Sequence, residues 1–220
     1  MRARVWALVM LAASLAAPCL AANGSPADGR SDPGNSGYGY TDHATRASQG
    51  RTIALYIDDD FDQAERQRIL LAVRQWNHVL NGFVQFRPQL FQGEPTPRDL
   101  AQIRRAGGWF VARIDSRHPV ARQREAQQAM GMTVGNPGGN PGGGVVYVIS
   151  DRFGPAELTA VALHELGHVL GAGHDDHGRL MASVYVVGNG RCIDRGAVAM
   201  VAQARRLPLS QLNWCVGPGL

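Results

Sequence analysis

Four of the chain's seven histidines, His164, His168, His174 and His177, fall within fourteen residues, with Glu165 among them. Residues four apart on a helix lie one turn apart on one face, so His164 and His168 can converge on a single ion while Glu165 stands beside it. Zinc takes neutral imidazole nitrogen at about 2.0–2.1 Å, and a catalytic site keeps a fourth position for water, so three protein ligands are wanted. His174 is the candidate third ligand. Gly171 can leave the helix at positive φ and Gly173 eases the return of the chain toward the metal. His177 competes for that place, but the glycine spacing favours His174. Zinc held by three neutral imidazoles lowers the pKa of its water toward about 7, and Glu165 is the candidate general base that takes the proton.

Those side chains need a scaffold, and the surrounding sequence supplies one. Pro155 introduces a helix whose apolar residues Leu158, Val161, Ala162, Leu163, Leu166, Val169 and Leu170 surround it almost completely. Such a helix is interior, so polar residues on it are buried for a reason. Upstream, "RTIALYID" alternates as a half-buried strand does. Asp62 and Glu65 form a capping box before Ile69, Leu70, Val73, Trp76, Val79 and Leu80, which recur with helical period until Asn81-Gly82. "FVQFRP", "GWFVARIDS" and "VVYVIS" read as strands and "AMGMTV" as a weaker one. Arg117 to Gln128 is polar and reads as a loop or short helix. Gly135 to Gly144, "GNPGGNPGGG", reads as a flexible surface loop; it lacks the lysine and the strand-then-helix setting of a phosphate cradle. A last helix is expected around Arg195 to Arg206.

The pattern H-E-x-x-H-x-x-G-x-x-H, from His164 to His174, followed by Met181, resembles the metzincin clan of zinc endopeptidases. The matrixin branch is most similar. Its Met-turn usually reads Leu-Met-Tyr-Pro-x-Tyr; Leu180, Met181 and Tyr185 match, while Ala182 and Ser183 replace the Tyr-Pro pair. Asp175 after the third histidine is more typical of the adamalysin branch. The resemblance implies an α+β domain with a twisted mixed five-stranded sheet, three main helices and a Met-turn. It implies one catalytic Zn2+, Met181 as a floor beneath it and Tyr185 as a wall of the pocket for the substrate residue after the scissile bond. "AMGMTV" would then be the edge strand along which an extended protein or peptide substrate lies. His118 stands alone in its region, so no structural zinc is expected. Asp151 falls where matrixins often place a Ca2+ ligand, and a role capping the following helix is equally open.

Composition bounds the rest. At 220 residues, the chain suits one domain. The net charge is only +4, and its basic residues, all arginine, are scattered. Nucleic-acid binding is therefore not expected; the arginine bias points to a GC-rich, bacterial source. "MRARVWALVMLAASLAAPCLAANGS" reads as a secretory signal peptide over residues 1–21, too short in its apolar run for a stable membrane span. Residues 22–50 form a flexible leader or short pro-segment. If the enzyme is latent, Asp28, Asp32 or Asp42 would have to cover the zinc, and an acidic solubilising leader is the simpler reading. The catalytic domain runs over 51–220. Signal removal takes Cys19 and leaves Cys192 and Cys215, an even pair that implies a disulfide in an exported protein. His43 and His78 lie outside any ligand spacing. The expectation is a secreted or periplasmic, monomeric zinc endopeptidase. The alternatives are a zinc-binding protein without hydrolysis and a zinc hydrolase that cuts a cell-wall amide.

Overall fold

The computed structural model describes residues 50–137, 142–175, 179–185 and 192–213, together with the backbone of 4–10. In chain order the elements are β1 (Arg4–Met10), β2 (Arg51–Asp58), α1 (Gln63–Val79), β3 (Val84–Phe91), α2 (Pro97–Arg105), β4 (Trp109–Ile114), β5 (Ala129–Gly135), β6 (Gly144–Ile149), α3 (Leu158–Val169), β7 (Val184–Tyr185) and α4 (Arg195–Arg205). Short 3₁₀ turns occupy Arg124–Ala126, Ser150–Arg152 and Leu209–Gln211.

The central sheet is mixed and has five strands in the order β3-β2-β4-β6-β5. β2 runs parallel to both β3 and β4, β4 runs parallel to β6, and β5 returns antiparallel to β6. Two further strands extend it beyond β5: β1 pairs antiparallel with β5, from Arg4 opposite Gly135 to Val9 opposite Ala129, and β7 pairs parallel with β1.

Strand alternation gives the sheet two covered faces. Ile53, Leu55 and Ile57 of β2 enter the main core with α1, α3 and α4. Phe110, Ala112 and Ile114 of β4 face a second core with Ile103 of α2 and partly buried Tyr56. α1 starts at the expected capping box, with Asp62 Oδ1 accepting from Glu65 N at 2.8 Å and Glu65 Oε2 accepting from Asp62 N at 2.9 Å. It buries Ile69, Val73, Trp76 and Val79. It ends before Asn81 at φ 47° and Gly82 at φ 81°. Trp76 crosses to α3 and donates its indole N–H to the Leu163 carbonyl at 2.9 Å. Full burial of side chains of this size contributes on the order of 3 kcal/mol each, which joins α1 firmly to the interior helix.

The structure departs from the sequence reading in three places. Four helices are present among the described residues where three main ones were expected; α2 was missed. Its sequence signal was there: Thr96 caps it, Asp99 closes a capping box and Pro97 sits in its first turn. α3 begins at Leu158 rather than directly after Pro155, and Glu157 supplies no side-chain cap. Asp151 does not cap that helix. Its carboxylate accepts from Ser116 N at 3.0 Å and Ser116 Oγ at 2.6 Å, tying the 3₁₀ turn after β6 to the end of β4. Arg152, beside it, donates to the carbonyls of Ala121, Ala126 and Ala129 and so clamps the loop that delivers β5.

Candidate metal centre

α3 is apolar on nearly every side, and His164, Glu165 and His168 are its buried polar residues, at 1%, 0% and 0% exposure. The helix ends in a Schellman motif. Gly171 N donates to His168 O at 2.9 Å and Ala172 N to Gly167 O at 3.0 Å, with Gly171 at φ 97°. That conformation strains any residue with a Cβ, so the glycine is what lets the chain turn back. The turn returns His174 to the two helical histidines, its ring centroid 5.3 Å from that of His164 and 4.8 Å from that of His168. One nitrogen from each of the three rings lies within 4.8 Å of the others.

The hydrogen bonds fix how the rings of this cluster are oriented. His164 Nδ1 lies 2.7 Å from the Leu180 carbonyl, and His168 Nδ1 lies 2.9 Å from the Ala172 carbonyl. A carbonyl only accepts, so both Nδ1 atoms carry the hydrogen and both Nε2 atoms present lone pairs. Those two Nε2 atoms are 2.9 Å apart. Two neutral lone pairs at that distance repel in a buried, low-dielectric place unless a cation stands between them. Burial also holds His164 down at about 3 and His168 well below the ordinary imidazole value, so both rings are neutral and available as ligands near pH 7. The residues thus fit a metal ion. Three imidazoles, with no thiolate, suit zinc among divalent ions without excluding its neighbours.

No protein-family model matches the chain, and no curated protein matches it.

Glu165 sits at the base of the cluster on the same helix. Burial pushes its carboxyl up to about 8, against the Thr133 hydrogen bond that lowers it. Thr133 Oγ1 donates to Glu165 Oε2 at 2.6 Å. Gly131, two residues earlier on β5, leaves space for the same carboxylate: a Cβ there would lie 2.7 Å from Oε1. The sequence reading named neither residue. A strand motif says nothing about which side chain it points at across the fold.

Met181 is fully buried and packs beneath α3 at Gly167, where a Cβ would meet its sulfur at 2.5 Å. Its turn is pinned at both ends: Asp175 N donates to the Met181 carbonyl at 2.9 Å, and Leu180 N donates to Asp194 Oδ2, also at 2.9 Å. Tyr185 is half-buried against Met130 of β5 and Val161 of α3. It therefore borders β5, which was expected at the sheet's edge but is paired on both sides, by β6 and by β1.

The remaining expectations lie elsewhere. His118 accepts from Val120 N at its Nδ1 and tilts against the Tyr147 ring on the opposite face of the sheet. His78 closes the last turn of α1. His43, His177 and the leader aspartates Asp28, Asp32 and Asp42 lie outside the described residues, as does part of the Gly135–Gly144 loop. Cys192 takes part in a disulfide, and Cys215, its expected partner, lies outside the described residues. A second acidic group, unnoticed in the sequence, gathers Asp58, Asp59 and Asp60. Asp58 there accepts from the backbone of Asp60 and Arg113, each at 3.2 Å, which closes the end of β2 on the chain itself. No described helix is long and apolar enough to cross a membrane.

Proposed function

We propose that the chain is an exported zinc-dependent endopeptidase of the metzincin type, most similar to matrixins, that hydrolyses peptide bonds of proteins. The observation that carries this reading is the pair of imidazole lone pairs 2.9 Å apart with both Nδ1 atoms bound to carbonyls, beside a buried carboxylate. His164, His168 and His174 would hold the ion. When bound, zinc supplies a Lewis acid that polarises a carbonyl and makes water acidic near neutral pH. Glu165, whose ionised form a cation beside it would favour against the burial that raises its carboxyl, would as general base take the proton of the attacking water and return it to the leaving amine. The buried setting strengthens each of these charge interactions by excluding bulk solvent.

The substrate would lie extended along β5, with Tyr185 walling the pocket for the residue after the scissile bond. In support, the outer edge of β5 already pairs with a strand of the chain itself, β1, which also runs parallel to β7 at Tyr185. An edge that accepts one extended segment through main-chain hydrogen bonds suits another. In this reading residues 1–21 are a signal peptide whose removal frees that edge. The domain over 51–220 then acts as a monomer outside the cytoplasm, closed near its C-terminus by a Cys192–Cys215 disulfide.

Cleavage-site profiling of the purified chain against an unbiased peptide library tests the proposal. Turnover abolished by a zinc chelator and restored by zinc supports it. Zinc binding with no peptide cleaved overturns it in favour of a binding protein, and activity on purified peptidoglycan alone moves it to a cell-wall amide.

A further inference from the structure

We propose that Thr133 is a positioning residue for Glu165: its hydroxyl fixes one carboxylate oxygen so that the other is presented for proton transfer. The inference rests on the hydrolytic reading above and deepens it. Thr133 lies on β5 and is 1% exposed. Its Oγ1 is 2.6 Å from Glu165 Oε2 and 3.3 Å from the Glu165 backbone carbonyl. The hydroxyl has one hydrogen, and it goes to the nearer, chargeable acceptor, where the bond is shorter and stronger than one between neutral groups. Glu165 Oε1, by contrast, has no hydrogen-bond partner among the described residues. The two oxygens therefore stand in different surroundings before any substrate arrives.

Gly131 completes the arrangement. Residues two apart on a strand face the same way, and a Cβ on Gly131 would meet Oε1 at 2.7 Å and Cγ at 2.9 Å. The strand grips one oxygen at Thr133 and withholds a side chain at Gly131 where the other needs room. A β-branched residue is ordinary in a strand, so Thr133 could serve merely as core filling. A valine would fill the space equally without burying a hydroxyl, however, and a buried hydroxyl is costly unless bonded. Its bond to the carboxylate is what makes threonine the fitting choice.

The test compares the zinc-loaded wild-type chain with Thr133→Val and Thr133→Ser on a peptide chosen from the cleavage profile, alongside crystal structures of all three without metal. The expected result is a loss of about 100-fold in kcat for Thr133→Val, with KM within about twofold and zinc content unchanged, because misplacing a catalytic group by an ångström costs about that much. Thr133→Ser should regain most of it. In the metal-free crystals the Glu165 carboxylate should turn in Thr133→Val and stay in Thr133→Ser. Unchanged kcat and an unmoved carboxylate in Thr133→Val would overturn the inference, as would equal impairment of both variants. If the wild type cleaves no peptide, the hydrolytic reading falls, and the carboxylate position in Thr133→Val still decides whether Thr133 holds Glu165.

Discussion

His164 Nδ1 and the Leu180 carbonyl oxygen, sixteen positions apart in the chain, lie 2.7 Å from each other. The contact sets the tautomer of a ligand on α3 from the turn that carries Met181. Leu180 is itself oriented by Asp194, which accepts its N–H at 2.9 Å and caps α4 by accepting from Ala197 N at 3.1 Å. A helix cap, the two peptide groups that meet at the Leu180 Cα, and an imidazole are thus linked in series.

Asp194→Ala should break that series at its far end. The lost cap costs about 1 kcal/mol of stability. Zinc affinity should fall about 10-fold, as it does when a group behind a ligand is removed. Chelator competition measures the second effect and urea denaturation the first; an affinity equal to the wild type would mean that Leu180 holds its orientation without Asp194.

Glu165→Gln keeps the size of the side chain and removes the base. Turnover should drop by roughly 10²–10⁴-fold while zinc content stays at one ion per chain. Casein cleavage at the parental rate would remove Glu165 from the mechanism.

The metal-free protein should have a pH-dependent stability set by the buried site. Burial holds His164 down at about 3, against 6.5 for an ordinary imidazole. Between those values the unfolded chain binds more protons, so stability falls as pH drops through the window. Glu165 acts oppositely, since burial pushes it up to about 8 from 4.5. Its contribution is full below 4.5 and is lost as pH rises toward 8. Each pH unit in that range costs about 1.4 kcal/mol. Urea denaturation at pH 5 and pH 9 should show the metal-free wild type losing stability relative to Glu165→Gln on going to the higher pH; parallel behaviour of the two proteins would contradict the raised carboxyl.

Gly167→Ala should disturb the packing of Met181 against α3. The new Cβ would stand 2.5 Å from the Met181 sulfur and 3.4 Å from the Trp76 ring. Met181 can shift, but only within a fully buried setting. Overpacking of this kind costs about 1–3 kcal/mol. Thermal denaturation measures it, and an unchanged melting temperature would show that Met181 yields freely.

Local signals made much of the fold legible. The capping box at Asp62 and Glu65 starts α1 where it was expected, and alternation in "RTIALYID" matches the buried Ile53, Leu55 and Ile57. Gly171 at positive φ does the turning that its place in the histidine pattern implied. α2 was overlooked although Thr96, Pro97 and Asp99 carry a helix-start signature, because it is short and mostly polar, with Leu100, Ala101 and Ile103 as its apolar face. Of the two roles open to Asp151 the cap does not form: a carboxylate before a helix suits a cap, but its actual partner, Ser116, lies 35 positions away.

By itself the sequence determined which side chains can bind an ion, since residue type sets ligand chemistry and helical spacing puts His164 and His168 on one face. Only the tertiary structure decided which nitrogens face each other, which carbonyls hold them, and that Thr133 and Gly131 from β5 shape the space around Glu165. The last two of those relations join peptide groups with no side-chain identity or residues 32 or more positions apart. No local pattern encodes them, because they arise when the strand and helix pack and most buried polar atoms find partners.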